Sequence, residues 1–279
     1  MNNLRIQSFY IGANNRKSAL DALIPKTDPK KVILFVHGYK GFKDWGAWNA
    51  LQYYFALQNI AFVKINLSHN GGTIDTPIDF PDLDAFSRNT YSKEVHDIKA
   101  AINWIKSCAY LKHLPVTLIG HSRGGAGVIL AAKKNKYVHS VVTLASICSI
   151  EERFPTDRKL EQWLNTGIRF ERNTRTKQNM PVKIDIYKDY VANKVSLNIQ
   201  NACKSLAEQK TPMLHIHGSK DEAVSLENSI HLSKWSSGSI KIIEGANHTF
   251  ESKHPHGDFK LPNELRQAAL YIHQFITNH

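Results

Sequence analysis

Short, nearly all-apolar runs alternate along this chain with stretches in which apolar residues recur every third or fourth position. That alternation predicts strand–helix units stacked into one sheet. Val32–Val36 is apolar throughout, as a strand must be when both faces of a parallel sheet are covered. Ala61–Leu67, Val116–Gly120 and Val138–Ile147 read the same way, and Met213–His217 and Ile240–Glu244 supply two late strands. Helical spacing follows most of them: Trp45–Leu57, Ser92–Ser107 with Val95, Ile98, Ile102 and Ile105 on one face, Gly124–Lys134, Leu226–Trp235 and Asn263–Thr277. Leu4–Ile11 and Ser18–Pro25 open the chain as an antiparallel pair around the turn Gly12-Ala13-Asn14-Asn15. The expected fold is α/β, a mostly parallel twisted sheet of about eight strands with helices on both faces.

Two stretches break the rhythm. Asn66–Asn89 is a long segment rich in Gly, Asp, Pro and Asn, and a loop of that length inside a compact domain is usually functional or mobile. Between Ser149 and Gln209 the chain turns polar. Glu152–Leu164 and Val195–Glu208 read as polar helices, and Ile168–Arg172 with Val182–Tyr187 as a β-hairpin across Asn173–Met180. That block is too short and too poor in apolar residues to hold a core of its own. It is expected to be an insertion, residues 149–209, lying as a lid over the carboxyl edge of a core made of residues 1–148 and 210–279.

Composition narrows the picture. The 279 residues, 42% hydrophobic and 22% charged, suit one ordinary globular domain. Cys108, Cys148 and Cys203 are odd in number and far apart, which argues against a disulfide framework or a zinc site and suits a reducing cytoplasm. The first residues carry no continuous apolar run, so no secretory leader is expected, and no stretch is long enough to span a bilayer. The net charge of +12 and a pI near 9.5 invite a nucleic-acid reading. The basic residues are dispersed, however, with runs no longer than pairs such as Lys30-Lys31 and Lys133-Lys134, and no specific nucleic-acid partner is expected.

Chemistry concentrates at strand ends. Gly120-His121-Ser122-Arg123-Gly124 stands between an apolar strand and a helix of small residues, the context of a nucleophile elbow. A serine on so sharp a turn needs a strained backbone, and Gly120 and Gly124 let strand and helix approach closely. Serine needs a base, and the base an acid to orient it. His217-Gly218-Ser219-Lys220-Asp221 places Asp221 after one late strand, and Gly245-Ala246-Asn247-His248 places His248 after the next. All three reach the carboxyl edge, where open α/β sheets hold their sites. The fourth segment, His37-Gly38-Tyr39-Lys40-Gly41, follows the first parallel strand. The Tyr39 and Arg123 backbone N–H groups are the expected oxyanion donors, and His37 is expected to hold the loop.

These segments together, H-G-x-x-G, G-H-S-x-G-G, H-G-x-x-D and G-x-x-H, resemble the α/β-hydrolase superfamily. Within it the chain looks like the dienelactone-hydrolase and cinnamoyl or feruloyl esterase-like branch, over nearly its whole length. The resemblance implies a serine esterase without cofactor or metal that acts on a small acyl ester, with an insertion at 149–209 lidding the acyl site. A peptidase or thioesterase with the same triad, and a catalytically silent binding protein on the same fold, are the other readings. Glu151 or Glu152 is the alternative acid. His254 and His256 raise a metal question but are expected to face solvent. Arg169, Arg172, Arg175 and Lys177 on the hairpin are candidates to bind a substrate carboxylate or phosphate, with simple solvation the favoured reading. The aromatics Tyr39, Phe80, Phe86, Trp163 and Phe170 are read as packing. Oligomeric state is open.

Overall fold

A computed structural model describes residues 3–279. β1 (Leu4–Ile11) and β2 (Lys17–Ile24) pair antiparallel around a 3₁₀ turn at Ala13–Asn15, where Asn14 and Asn15 both take positive φ. Asparagine tolerates that region better than most residues. There follow β3 (Val32–Val36), α1 (Trp48–Leu57), β4 (Ala61–Ile65), α2 (Leu83–Ser87), α3 (Tyr91–Ser107), β5 (Val116–His121), α4 (Arg123–Ala132) and β6 (Val138–Leu144). After them come α5 (Asp157–Thr166), β7 (Ile168–Arg172), β8 (Asn179–Lys183), α6 (Asp185–Ala192) and α7 (Ile199–Glu208). The chain closes with β9 (Met213–Gly218), α8 (Glu227–Ser236), β10 (Ser239–Ile243) and α9 (Asn263–Asn278).

Eight strands form one sheet in the order β1-β2-β4-β3-β5-β6-β9-β10. It is antiparallel at β1, β2 and β4 and parallel from there to β10. The alternation within β3 shows how the sheet divides the core. Val32, Leu34 and Val36 enter one apolar layer with Ile98 and Ile102 of α3 and Val128 of α4. Ile33 and Phe35 enter the other, with Trp48 and Leu51 of α1 and Leu265 and Ile272 of α9. Each such side chain contributes about 1.5–3 kcal/mol when fully buried. Because β3, β5, β6, β9 and β10 run in one direction, their carboxyl ends share one edge, and the candidate site residues follow those ends.

The two irregular stretches are more structured than their composition suggests. The long loop after β4 contains α2 and is largely packed: Ser68, His69, Asn70, Phe80 and Phe86 are buried. Asn66 Oδ1 accepts the Lys43 backbone N–H at 2.7 Å while its Nδ2 donates to the Pro77 carbonyl at 2.6 Å. Arg16, beside the turn of the first hairpin, pairs with Asp82 of this loop at 2.6 Å. Polar residues here serve backbone groups of the loop, which is why the loop reads as hydrophilic and still packs.

In the 149–209 stretch, β7 and β8 form the expected hairpin as a separate two-stranded sheet, with Ile168 opposite Lys183 and Arg172 opposite Asn179. Its second strand is displaced, however. Met180, Val182 and Ile184 are buried at period two, and then Ile186 and Tyr190, four apart, are buried on α6. The expected strand Val182–Tyr187 is therefore half strand and half helix, because the apolar period changes inside it. Pro155 separates a 3₁₀ turn at Glu151–Arg153 from α5, so the first helix starts at Asp157, later than Glu152–Leu164 implied. α7 packs against α4 and α8. Cys108, Cys148 and Cys203 are free thiols. Among the described residues no helix is long and apolar enough to cross a membrane.

Candidate active site

Ser122 sits between β5 and α4 with φ 55° and ψ −122°, a region that residues with a Cβ rarely enter. The surrounding backbone forces it there. Its N–H donates to the Leu144 carbonyl on β6 at 2.8 Å, and its own carbonyl accepts the Gly125 N–H at 2.9 Å. Glycines make the fit possible: a Cβ on Gly120 would lie 2.3 Å from the Gly124 carbonyl oxygen, and one on Gly124 would lie 2.4 Å from that of His37. No methyl group fits at either distance, so the close approach of β5, α4 and the β3 loop depends on them.

Asp221 and His248 meet beside this turn. The loops after β9 and β10 are stitched together by Ser219 N–H to Ile243 O at 3.0 Å and Lys220 N–H to Ala246 O at 2.9 Å. His248 Nδ1 donates to Asp221 Oδ2 at 2.8 Å. The Asp221 carboxylate is buried, and it also accepts the backbone N–H groups of Ala223 and Val224, each at 2.9 Å. Burial alone would raise its pKa, but the hydrogen bonds from His217, His248 and Val224 outweigh that and hold it well below the usual carboxylate range. The carboxylate therefore stays ionised at neutral pH, and the Nε2 side of His248 is free of it. Ser122 and His248 line the same two cavities, and among the described residues no hydrogen bond joins their side chains. Such bonds often tighten only when substrate binds.

Two further histidines hold this pair. His217 Nε2 lies 3.1 Å from Asp221 Oδ2 and 2.9 Å from the Val224 carbonyl, while its Nδ1 faces Ser229 Oγ at 2.7 Å. An Nε2–H tautomer satisfies all three contacts, since a carbonyl can only accept. His121 Nε2 donates to the His248 carbonyl at 2.9 Å, and its ring packs between Trp48 and the His248 ring at 5.2 and 4.9 Å. Burial, reinforced by the nearby His248, pushes the His121 pKa down to about 3, so it is neutral. The role of His217 went unread in the sequence, although its position four residues before Asp221 in H-G-x-x-D was a usable signal.

The β3 loop completes the edge. His37 Nε2 accepts the Leu67 N–H at 3.2 Å and its Nδ1 donates to the Gly38 carbonyl at 2.8 Å, so one ring nitrogen ties to the loop after β4 and the other to its own loop. Burial lowers its pKa to about 4. The Gly41 N–H closes a turn onto the Gly38 carbonyl at 3.1 Å, and a Cβ on Gly38 would lie 2.9 Å from the Ser122 Cβ. Tyr39 is thereby brought to the wall of the Ser122 cavities. Among the described residues no protein acceptor takes the backbone N–H of Tyr39 or of Arg123.

The larger cavity, about 410 Å³, is walled on one side by the edge and on the other by Arg153, Phe154, Arg169, Glu171, Val182 and Ile186 of the 149–209 stretch. Arg169, expected to face solvent, lines it with its guanidinium 4.3 Å above the Trp163 ring. Arg153, which no sequence pattern singled out, lines it as well. The Arg123 guanidinium is buried against Glu94, at 3.0 Å from Nε and 2.9 Å from Nη2, and lies 3.9 Å from the Tyr91 ring centre. Other candidates fall elsewhere. Glu151 is exposed and paired with Lys194 at 2.9 Å, and Glu152 is exposed too. Phe80 and Phe86 belong to the core, and Phe170 is exposed. Arg172, Arg175 and Lys177 face solvent as expected, and Arg175 pairs there with Asp79. His254, expected to be solvent-facing, is instead half-buried: its Nδ1 accepts the Gly46 N–H at 3.0 Å and its ring stacks on Trp45. Among the described residues no three His, Cys, Asp or Glu side chains converge as a metal-binding group.

Residues 27–252 match the family model described as serine aminopeptidase, S33. No curated protein sequence matches the chain significantly. Among solved structures the chain is similar to Est1E from Butyrivibrio proteoclasticus, determined with ferulic acid bound, at 20% identity and a TM-score of 0.73, covering 96% of this chain and 98% of that one. It is also similar to the dienelactone hydrolase from Anabaena variabilis (16%, TM-score 0.63, covering 100% and 99%) and to the α/β-hydrolase GrgF from Penicillium sp. sh18 (14%, TM-score 0.73, covering 99% and 99%). At such identities the likeness concerns the fold.

Proposed function

The chain belongs to the serine aminopeptidase S33 family of α/β-hydrolases, and from that premise we propose that it is a serine hydrolase cleaving carboxylic esters through an acyl-enzyme on Ser122. The observation that carries this reading is the 2.8 Å bond from His248 Nδ1 to a buried Asp221 carboxylate beside the strained Ser122 turn. With Nδ1–H held by Asp221, His248 Nε2 is the basic nitrogen and takes the Ser122 hydroxyl proton as Oγ attacks the ester carbonyl. The Tyr39 and Arg123 N–H groups, both without a protein acceptor, receive the oxyanion. Collapse expels the alcohol, which takes its proton from His248. Water, deprotonated by the same nitrogen, then releases the acid and restores Ser122. His37 and His121 are positioning residues, and the 149–209 stretch covers the acyl site.

The family's description names an aminopeptidase, and the charge of the cavity argues against that activity in this chain. An aminopeptidase must hold a substrate ammonium group, for which a free carboxylate is the natural partner. Here the acid lining the cavity, Glu171, is engaged by Arg169 at 2.8 Å and Lys40 at 3.1 Å, and the other charged walls are arginines. The test is turnover of 4-nitrophenyl acyl esters against aminoacyl 4-nitroanilides by the wild type and Ser122→Ala. Ester turnover that vanishes in Ser122→Ala is expected. Faster cleavage of the anilides would make the chain a peptidase.

A further inference from the structure

Four cations and two carboxylates meet around the larger cavity. Glu94 takes Arg123, Glu171 is shared by Arg169 and Lys40, and Arg153 has no acidic partner among the described residues. The hydrogen bonding is short in the same place. Arg123 Nη2, Arg153 Nε and Arg169 Nε are buried, and none has a hydrogen-bond acceptor. Arg123 Nη2 does lie 2.9 Å from Glu94 Oε1, but at an angle that makes it an ion-pair contact only. A buried guanidinium N–H without an acceptor is costly, and three such nitrogens, on arginines of which Arg123 and Arg169 already hold an acid through another atom, line one cavity beside Ser122.

We propose that this cavity is an anion subsite: the ester that Ser122 attacks carries a carboxylate on its acyl portion, received by Arg153 with Arg169 and Arg123 around it. This rests on the serine-hydrolase reading above and adds the substrate class. A carboxylate suits the site because guanidinium groups bind it in a planar fork, and in a partly enclosed cavity such contacts are stronger than in water. The apolar wall of Phe154, Val182 and Ile186 takes the methylene chain between ester and carboxylate. Arg123 and Arg169 are already braced, by Glu94 and by Trp163 with Glu171, so Arg153 is the member free to close on the anion. The overall charge of +12 would draw such substrates toward the protein.

The experiment compares kcat/KM for mono(4-nitrophenyl) adipate and 4-nitrophenyl hexanoate in the wild type, Arg153→Met and Arg153→Lys. The wild type is expected to favour the adipate ester by about tenfold or more, the scale of a charge-assisted contact. The ratio should fall close to one in Arg153→Met and recover in part in Arg153→Lys. Equal rates in the wild type, or a ratio unmoved by Arg153→Met, overturn the subsite and leave the hydrolase reading standing. Calorimetric titration with adipate supplies the other arm. Saturable binding that Arg153→Met weakens about tenfold supports the subsite even if neither ester is cleaved, in which case it is the hydrolase reading that fails. Adipate that does not bind overturns the subsite.

Discussion

The two walls of the cavity are built on different principles. On the sheet side, positions follow from backbone: Ser122 is held at positive φ because Gly120 and Gly124 let three chain segments touch, and Asp221 and His248 are set by hydrogen bonds between neighbouring strand ends. On the hairpin side, positions follow from long side chains, with Arg153 and Arg169 reaching inward from short, half-exposed elements. Backbone close approach tolerates almost no substitution, whereas an arginine on a hairpin can be exchanged without disturbing the fold. On the function proposed above, one wall constrains the reaction and the other the substrate, and the second is the freer to vary.

The sharpest way to break that contrast is to remove a group from the sheet side. His248→Ala is expected to lower turnover by about 10⁴-fold while the melting transition stays cooperative. A loss of tenfold or less, measured under saturating ester, would mean that the base lies elsewhere.

Stability offers a second contrast. Gly124→Ala places a methyl group against the His37 carbonyl and is expected to cost about 3 kcal/mol by urea denaturation. Arg172→Ala on the exposed hairpin, which gives up only a 3.1 Å contact with Asn179, should cost less than about 0.5 kcal/mol. Comparable losses at the two sites would dissolve the distinction.

Acid should weaken the fold through the histidines buried in and beside the sheet. Burial holds His37 neutral down to about pH 4, and His121 and His215 down to about pH 3. In the unfolded chain such histidines take a proton near pH 6.5. Folded pKa values below the unfolded one mean stability that is complete above about pH 6.5 and is lost as the pH falls toward the folded values. At pH 5 the loss is about 2 kcal/mol for each histidine. A denaturation midpoint that does not move between pH 7.5 and 5 would contradict that burial.

The same division explains what could be read in the sequence. Ser122, Asp221, His248 and Tyr39 were legible because each follows an apolar strand, and parallel strands bring their carboxyl ends to one edge. The eight-stranded sheet followed from those runs. Arg153 was not legible: it lies in a single 3₁₀ turn, where no period relates it to the cavity. Arg169 was visible but looked like one more charge on an exposed hairpin, because alternation says which face a residue takes and not what that face meets. The pairing of Glu94 with Arg123 spans two helices on one face of the sheet, and local spacing does not encode it.

The central claim is that Ser122 is the nucleophile, and covalent labelling tests it most directly. The protein is treated with a fluorophosphonate and its intact mass and peptides are measured. The account predicts a single adduct, on the peptide containing Ser122, and none in Ser122→Ala. An adduct of equal yield in Ser122→Ala, or one on another residue of the wild type, would contradict it.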